Sequence, residues 1–106
     1  MNVKIKATKI KLTPEIKDYV QEKMDMLEKY LGNFAVIHAD FEVGKISEHH
    51  NKGDVYRAEA NLDLPGELLR VEKTEKDLFK AIDKVKDHLA EAIKKYKEKK
   101  RSKGQK

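Results

Sequence analysis

The residues of this chain best suited to chemistry are basic ones near its C-terminal end, and the chemistry they suit is the binding of a polyanion. Residues 94–106 carry eight basic residues and one acid, whereas residues 1–93 carry sixteen basic and eighteen acidic ones. A positive charge focused at one end attracts phosphate backbones, and each phosphate contact releases counterions. In a small protein this pattern most often indicates a nucleic-acid partner.

These cations lie on and just beyond a predicted helix from Asp77 to Tyr96, which Thr74, with Asp77 three residues on, is expected to cap. Apolar residues at helical spacing predict its buried face: Leu78, Ile82, Val85, Leu89, Ile93 and Tyr96. Cations within about 60° of one another predict a basic flank: Lys84, His88, Lys95 and Lys99. Such a row can follow a phosphate backbone, although most charge runs on helices are simply solvated faces.

A first helix is predicted from Pro14 to Leu31, since Thr13 and Pro14 form a start signal and Gly32 a stop signal. Lys23 lies within its apolar stripe. It either extends its ammonium group to water or points into a groove between the two helices, where it would meet phosphate.

Alternating apolar and polar residues predict the strands, with one apolar face each. They span residues 3–12 with a bulge or end near Thr8, then 36–43, 55–64 and about 68–73. The predicted order is β-α-β-β-β-α, an α+β two-layer sandwich with both helices on one face of a four-stranded sheet. The first two strands should be parallel. This arrangement resembles a double-stranded RNA-binding fold.

Other polar and aromatic residues carry weaker signals. Arg57 should face away from the helices and pair across strands with acids of the polar face, namely Asp40, Glu42, Glu59 and Asp63. Some aromatic residues could stack on bases, but core packing is the expected role of Tyr19, Tyr30, Phe79 and Tyr96. His49 and His50 are adjacent on a polar loop and make poor joint metal ligands.

No catalytic pattern is visible. The chain has no cysteine, no serine–histidine–acid spacing and no glycine-rich phosphate loop. We therefore expect a protein that is not an enzyme and needs no cofactor, metal or small-molecule substrate. The absence of a long apolar run predicts no membrane association and a cytoplasmic location.

The element order and two segments, Leu27-Glu28-Lys29-Tyr30 and Asp77-Leu78-Phe79-Lys80-Ala81-Ile82-Asp83, resemble the ribosome hibernation-promoting factor family, also called the sigma-54 modulation protein family. The resemblance covers roughly residues 1–100. It implies a short form of the family, whose members bind rRNA in the mRNA and tRNA channel of the small ribosomal subunit. They inhibit translation there during stress and stationary phase.

Together, the resemblance and the charge pattern predict a ribosome-binding domain at residues 1–100, a basic flexible tail at 101–106, and a monomer away from the ribosome. The predicted RNA-binding residues are Lys23, Lys29, Lys84, Lys86, His88, Lys94, Lys95, Lys97, Lys99, Lys100 and Arg101. The chain departs from the family pattern at Met26, His88 and Glu91, where basic residues are usual. The alternatives are a general double-stranded RNA-binding module and a protein-interaction or transcription-modulating domain.

Overall fold

A computed structural model describes residues 1–46 and 53–104 of the chain, and side chains as far as Arg101. The elements follow the order β-α-α-β-β-β-α. Their bounds are β1 Lys4–Thr8, α1 Pro14–Asp25, α2 Glu28–Leu31, β2 His38–Ile46, β3 Val55–Leu64, β4 Glu67–Glu75 and α3 Leu78–Gly104. His49 and His50, the weak metal candidate, lie outside the described residues.

The strands form one four-stranded sheet in the order β1-β2-β3-β4. β1 pairs with β2 in parallel, with Ile5 opposite Phe41, whereas β2–β3 and β3–β4 are antiparallel. The α+β prediction and the parallel first pair are confirmed. α3 lies across β3 and β4 on the same side of the sheet as α1 and α2.

The core fills the space between sheet and helices. Its largest fully buried side chains include Phe41 and Leu62 from the sheet, Met24 from α1, and Leu89 and Tyr96 from α3. The apolar side of the alternation is therefore buried in β2 and β3 and half-buried in β1. Removing this apolar surface from water is the main stabilising term of such a fold.

Local start and stop signals act as expected in the first third of the chain. The side-chain oxygen of Thr13 accepts a hydrogen bond from the amide of Ile16 at 3.2 Å, and Pro14 occupies the first turn. Gly32 ends α2 with a φ of 60°. β1 stops at Thr8, the predicted end, because Lys9 turns the backbone into the left-handed region with a φ of 64°.

Several predicted boundaries were wrong, among them that of the second strand, which runs from His38 to Ile46 and not over residues 36–43. The first helix is interrupted at residues 26–27, where the amide of Leu27 bonds to the carbonyl of Met24 at 3.0 Å in a tighter turn. β4 continues to Glu75, so Thr74 lies in the strand and is not the cap. The carboxylate of Asp77 takes that role, accepting from the amide of Phe79 at 2.8 Å.

α3 extends well past the predicted end at Tyr96, to Gly104. No glycine or proline interrupts the sequence before that residue, and lysine, glutamate and arginine are good helix formers. The helix thus reaches into the segment expected as a tail; whether residues 101–106 are flexible stays a prediction.

Candidate nucleic-acid interface

The cations of α3 lie on two opposite flanks of the helix, on either side of its buried face. The β4-facing flank consists of Lys84, His88, Lys95 and Lys99. The α1-facing flank consists of positions three or four residues apart: Phe79, Asp83, Lys86, Ala90, Lys94, Lys97 and Arg101. The two flanks meet very different neighbours.

On the β4-facing flank, lysines are neutralised by carboxylates of the adjacent strand. The ammonium group of Lys84 donates to Glu75 and holds the pKa of that carboxyl below its usual value. Near the other end of β4, Lys99 donates to Glu67 at 3.1 Å. This flank is the predicted phosphate-following row, and the structure places acids beside two of its four cations.

On the α1-facing flank, the helices are joined by a polar network around Asp83. Its Oδ1 atom accepts a hydrogen bond from the Tyr19 hydroxyl at 2.7 Å and lies 3.4 Å from Nζ of Lys23. The ring of Tyr19 meets Phe79 edge-on, with centroids 4.8 Å apart. Lys23 therefore points into the groove between α1 and α3, where its charge is met by a carboxylate of the same chain.

Further along this flank, two lysines from different helices approach one aromatic ring. The Nζ atoms of Lys29 and Lys94 lie 5.3 and 5.4 Å from the ring centroid of Tyr30. A ring face attracts cations through its quadrupole, so Tyr30 helps to hold both lysines in place. Lys94 also lies 3.3 Å from Glu91, and Lys86 lies 2.7 Å from Asp87.

The end of α3, residues 94–101, is the part of the predicted site with the least internal neutralisation. It carries six basic residues and the single acid Glu98. Lys95, Lys97 and Arg101 lie within 4.0 Å of no acid in the part of the chain that the structure describes. Lys100 packs over the ring of Tyr96, with Nζ 5.6 Å from its centroid.

This helix end is anchored to the sheet by Tyr96. The Tyr96 hydroxyl donates to the carbonyl oxygen of Pro65, at the β3–β4 turn, at 2.7 Å. The ring itself is buried and meets Phe34 edge-on, with centroids 5.2 Å apart. Core packing is therefore confirmed for Tyr96, and the side chains of Lys99 and Lys100 lie beside the β3–β4 turn.

The open face of the sheet is built differently, as a network of charge pairs centred on Arg57. Its guanidinium donates to Glu72 and, at 2.9 Å, to Glu59, and lies 3.9 Å from Glu42. Arg57 pairs across strands as predicted, with Glu42 and also with Glu72, which the sequence did not indicate, whereas Asp40 and Asp63 do not contact it. Surrounding carboxylates raise the pKa of Arg57 and neutralise its charge, while Lys4 and Lys6 of β1 lie on the same face.

The acids beside the predicted cations were missed by the sequence reasoning. Asp83 could have been found, since it lies four residues after Phe79 and three before Lys86 on one helix flank. Glu67 and Glu75 could not, because their contacts depend on how α3 is placed on β4.

Of the positions that depart from the family pattern, Met26 is 38% exposed at the end of α1.

No helix within residues 1–46 and 53–104 is long and apolar enough to cross a lipid bilayer. Fold and surface together define a small α+β domain whose longest helix ends in a concentrated positive charge. The sequence pattern of the family described as "Sigma 54 modulation protein / S30EA ribosomal protein" matches residues 3–101. The chain belongs to this family.

Several relatives share this similarity. A ribosome hibernation promoting factor of Pseudomonas putida is 28% identical over 102 residues, covering 96% of this chain and 92% of the relative. A ribosome hibernation promotion factor of Bacillus subtilis is 30% identical over 99 residues, covering 93% of this chain. The chain spans 50% of that relative's length, and 44% of the length of a Deinococcus radiodurans relative that is 27% identical.

Solved structures share the fold. The N-terminal domain of Thermus thermophilus Protein Y superposes with a TM-score of 0.78 and 32% sequence identity, covering 91% of this chain and 99% of that one. A ribosomal subunit interface protein from Coxiella burnetii superposes with a TM-score of 0.76 at 16% identity, covering 92% and 98%. The second likeness concerns the fold alone.

Proposed function

We propose that this chain is a ribosome hibernation factor that binds rRNA of the small subunit in the mRNA and tRNA channel and so inhibits translation under stress and in stationary phase. The observation that carries the proposal is the end of α3, where Lys95, Lys97 and Arg101 have no acid partner among the described residues. Family membership supports the ribosomal partner, since relatives carry hibernation factor names.

The mechanism is steric occlusion with an electrostatic anchor. α3 comprises 27 residues, so it is about 40 Å long at a rise of about 1.5 Å per residue. A rod of this length with a cationic end can enter a channel lined by phosphate and displace counterions there. Shape and backbone contacts, more than base reading, would select the site, as is usual for proteins that bind folded RNA.

The interface we propose joins the end of α3 to the α1-facing flank. Lys94 belongs to both, and Lys29 approaches it across Tyr30. The β4-facing flank contributes chiefly Lys95, because Glu75 and Glu67 neutralise Lys84 and Lys99. The open sheet face, with Arg57 among three glutamates, would point away from RNA.

Co-sedimentation with purified small subunits through a sucrose gradient, over a series of salt concentrations, tests this proposal. The variant K95E/K97E/R101E should bind at least 100-fold more weakly than the natural chain. The slope of log affinity against log salt should shrink by about two to three, because three phosphate contacts are lost.

The matched control is K9E/K11E/K76E, which changes net charge equally. These lysines are exposed and lie near the opposite end of the sheet, close to the last residue of β1 and the first of α3. We expect the control to keep most of the affinity. Equal losses in both variants would show that only net charge matters, and absence of binding by the natural chain at low salt would refute the proposal.

A further inference from the structure

Asp83 is an unexpected residue in the proposed interface. It is the single acid among the seven positions of the α1-facing flank, in which Lys86, Lys94, Lys97 and Arg101 are basic. An uncompensated carboxylate there would repel RNA phosphates. Asp83 should therefore have a function that offsets this repulsion.

The contacts of Asp83 indicate that function. Its Oδ1 atom is shared between the Tyr19 hydroxyl, at 2.7 Å, and Nζ of Lys23, at 3.4 Å. The Lys23 side chain is only 19% exposed, while that of Asp83 is 42% exposed at the mouth of the groove. The carboxylate thus occupies the position from which an incoming phosphate oxygen would approach the Lys23 ammonium.

The aromatic wall keeps this arrangement in place. Nζ of Lys23 lies 5.1 Å from the centroid of the Tyr19 ring, whose edge-on contact with Phe79 joins α1 to α3. Lys23 is thereby held at the groove whichever anion it meets, because the ring attracts the cation independently of Asp83. Tyr19 can likewise keep its hydrogen bond to Asp83 when Lys23 turns to another partner.

We propose that Asp83 is an internal competitor for RNA: in the free protein it neutralises Lys23, and in the complex a backbone phosphate takes over Lys23 while Asp83 stays bonded to Tyr19. This inference rests on the proposed function and adds a means of selectivity to it. A polyanion must displace the carboxylate to gain this contact, so weak and poorly shaped RNAs gain less from the groove than the rRNA site does. Asp83 is accordingly a positioning residue, which lowers affinity in order to raise discrimination.

The test is the isosteric variant D83N, whose amide oxygen can still accept from Tyr19. Affinity is measured by fluorescence titration against purified small subunits and against a plain RNA duplex, each over a salt series. We expect D83N to bind the duplex about 10-fold more tightly. The slope of log affinity against log salt should become steeper by about 0.7 to 0.9, because one phosphate contact is gained. On small subunits the gain should be smaller, about threefold, so that discrimination falls.

The matched control is D40N, which removes an equal charge on the open sheet face, where the exposed Asp40 pairs with no cation of the proposed interface among the described residues. The control should change duplex affinity less than threefold and leave the salt slope unaltered. In the double variant D83N/K23M the gain of D83N should disappear, because the released cation is absent. Circular dichroism of each variant verifies that α3 is intact.

Equal effects of D83N and D40N would overturn the inference, because net charge alone would then explain them. Weaker binding of D83N would overturn it too, because Asp83 would then have a purely structural role. These outcomes differ from failure of the proposed function. If the natural chain does not bind small subunits but D83N still binds the duplex more tightly, the proposed ribosomal function is refuted and the role of Asp83 as a competitor is supported. If the natural chain binds small subunits and D83N gains on neither RNA, only the competitor falls.

Discussion

At the scale of single residues, Tyr19 is the group whose protonation is most strongly affected by the groove between α1 and α3. Its hydrogen bond to Asp83 is the main cause that raises the pKa of the Tyr19 phenol to about 12, and desolvation adds to it. A carboxylate stabilises the neutral phenol and disfavours a phenolate beside it. The helix pair is therefore joined by a contact that depends on a proton.

The consequence is a predicted loss of stability at high pH. The folded state keeps the Tyr19 proton at a pH where the unfolded chain, with a phenol pKa near 10, releases it. The contribution is complete below pH 10 and is lost as the pH rises to about 12. Urea unfolding between these pH values should show a fall in the free energy of unfolding that is steeper for the natural chain than for Y19F. Identical pH profiles would contradict this assignment.

Arg57 gives a second residue-level prediction, on the face that we place away from RNA. R57M leaves Glu42, Glu59 and Glu72 close together without their shared cation. Since these groups are partly exposed, we expect the free energy of unfolding to fall by about 1–2 kcal/mol. Affinity for small subunits should stay within about twofold of the natural chain. A large loss of affinity in a folded R57M protein would show that the open sheet face takes part in binding.

At the scale of elements, α3 is the most important helix, because it contributes both to the core and to the net positive charge of the proposed interface. Tyr96 connects these roles, and Y96F removes only its hydroxyl. The carbonyl oxygen of Pro65 then loses its partner, which should lower the free energy of unfolding by about 1 kcal/mol in urea titrations. Y56F is the control, since the partly buried Tyr56 has no hydroxyl hydrogen bond to a described residue. Equal effects of the two variants would argue against the anchor.

Much of the fold follows from local pattern in the sequence. The bounds of β3 were predicted as the structure has them, Val55–Leu64, because strict alternation leaves one register. The break between α1 and α2 was not predicted, since Met24, Leu27 and Leu31 fit one helical stripe equally well. There a change to an i→i−3 hydrogen bond at Leu27 decides the geometry, and periodicity does not distinguish that turn.

The candidate site was less predictable than the fold. Projection of α3 groups its cations on flanks correctly, since that requires only helical geometry. On the α1-facing flank, Lys86 and Lys94 meet the neighbouring acids Asp87 and Glu91 of α3. The remaining contacts join different elements or distant positions: Lys84 with Glu75, Lys99 with Glu67, and Lys23 with Asp83. Those contacts come from tertiary placement, so the sequence could identify cations but not the neutralised ones.

At the scale of the whole molecule, the positive charge is concentrated at the C-terminal end of α3. The chain has a net charge of +5, and residues 94–106 exceed it with eight basic residues against one acid. The remainder is slightly acidic, and both arginines of its open sheet face, Arg57 and Arg70, are paired with glutamates. A molecule of this kind should approach RNA with the end of α3 first, because the field of that end is not cancelled by the rest.

The most direct test of the central claim is competition for the channel of the small subunit. Fluorescently labelled protein would be titrated with purified small subunits that are empty or already filled with mRNA and tRNA. We predict saturable binding of one protein per empty subunit and at least a 100-fold weaker affinity for the filled ones. Undiminished binding to filled subunits would contradict the claim, because it would place the protein outside the channel.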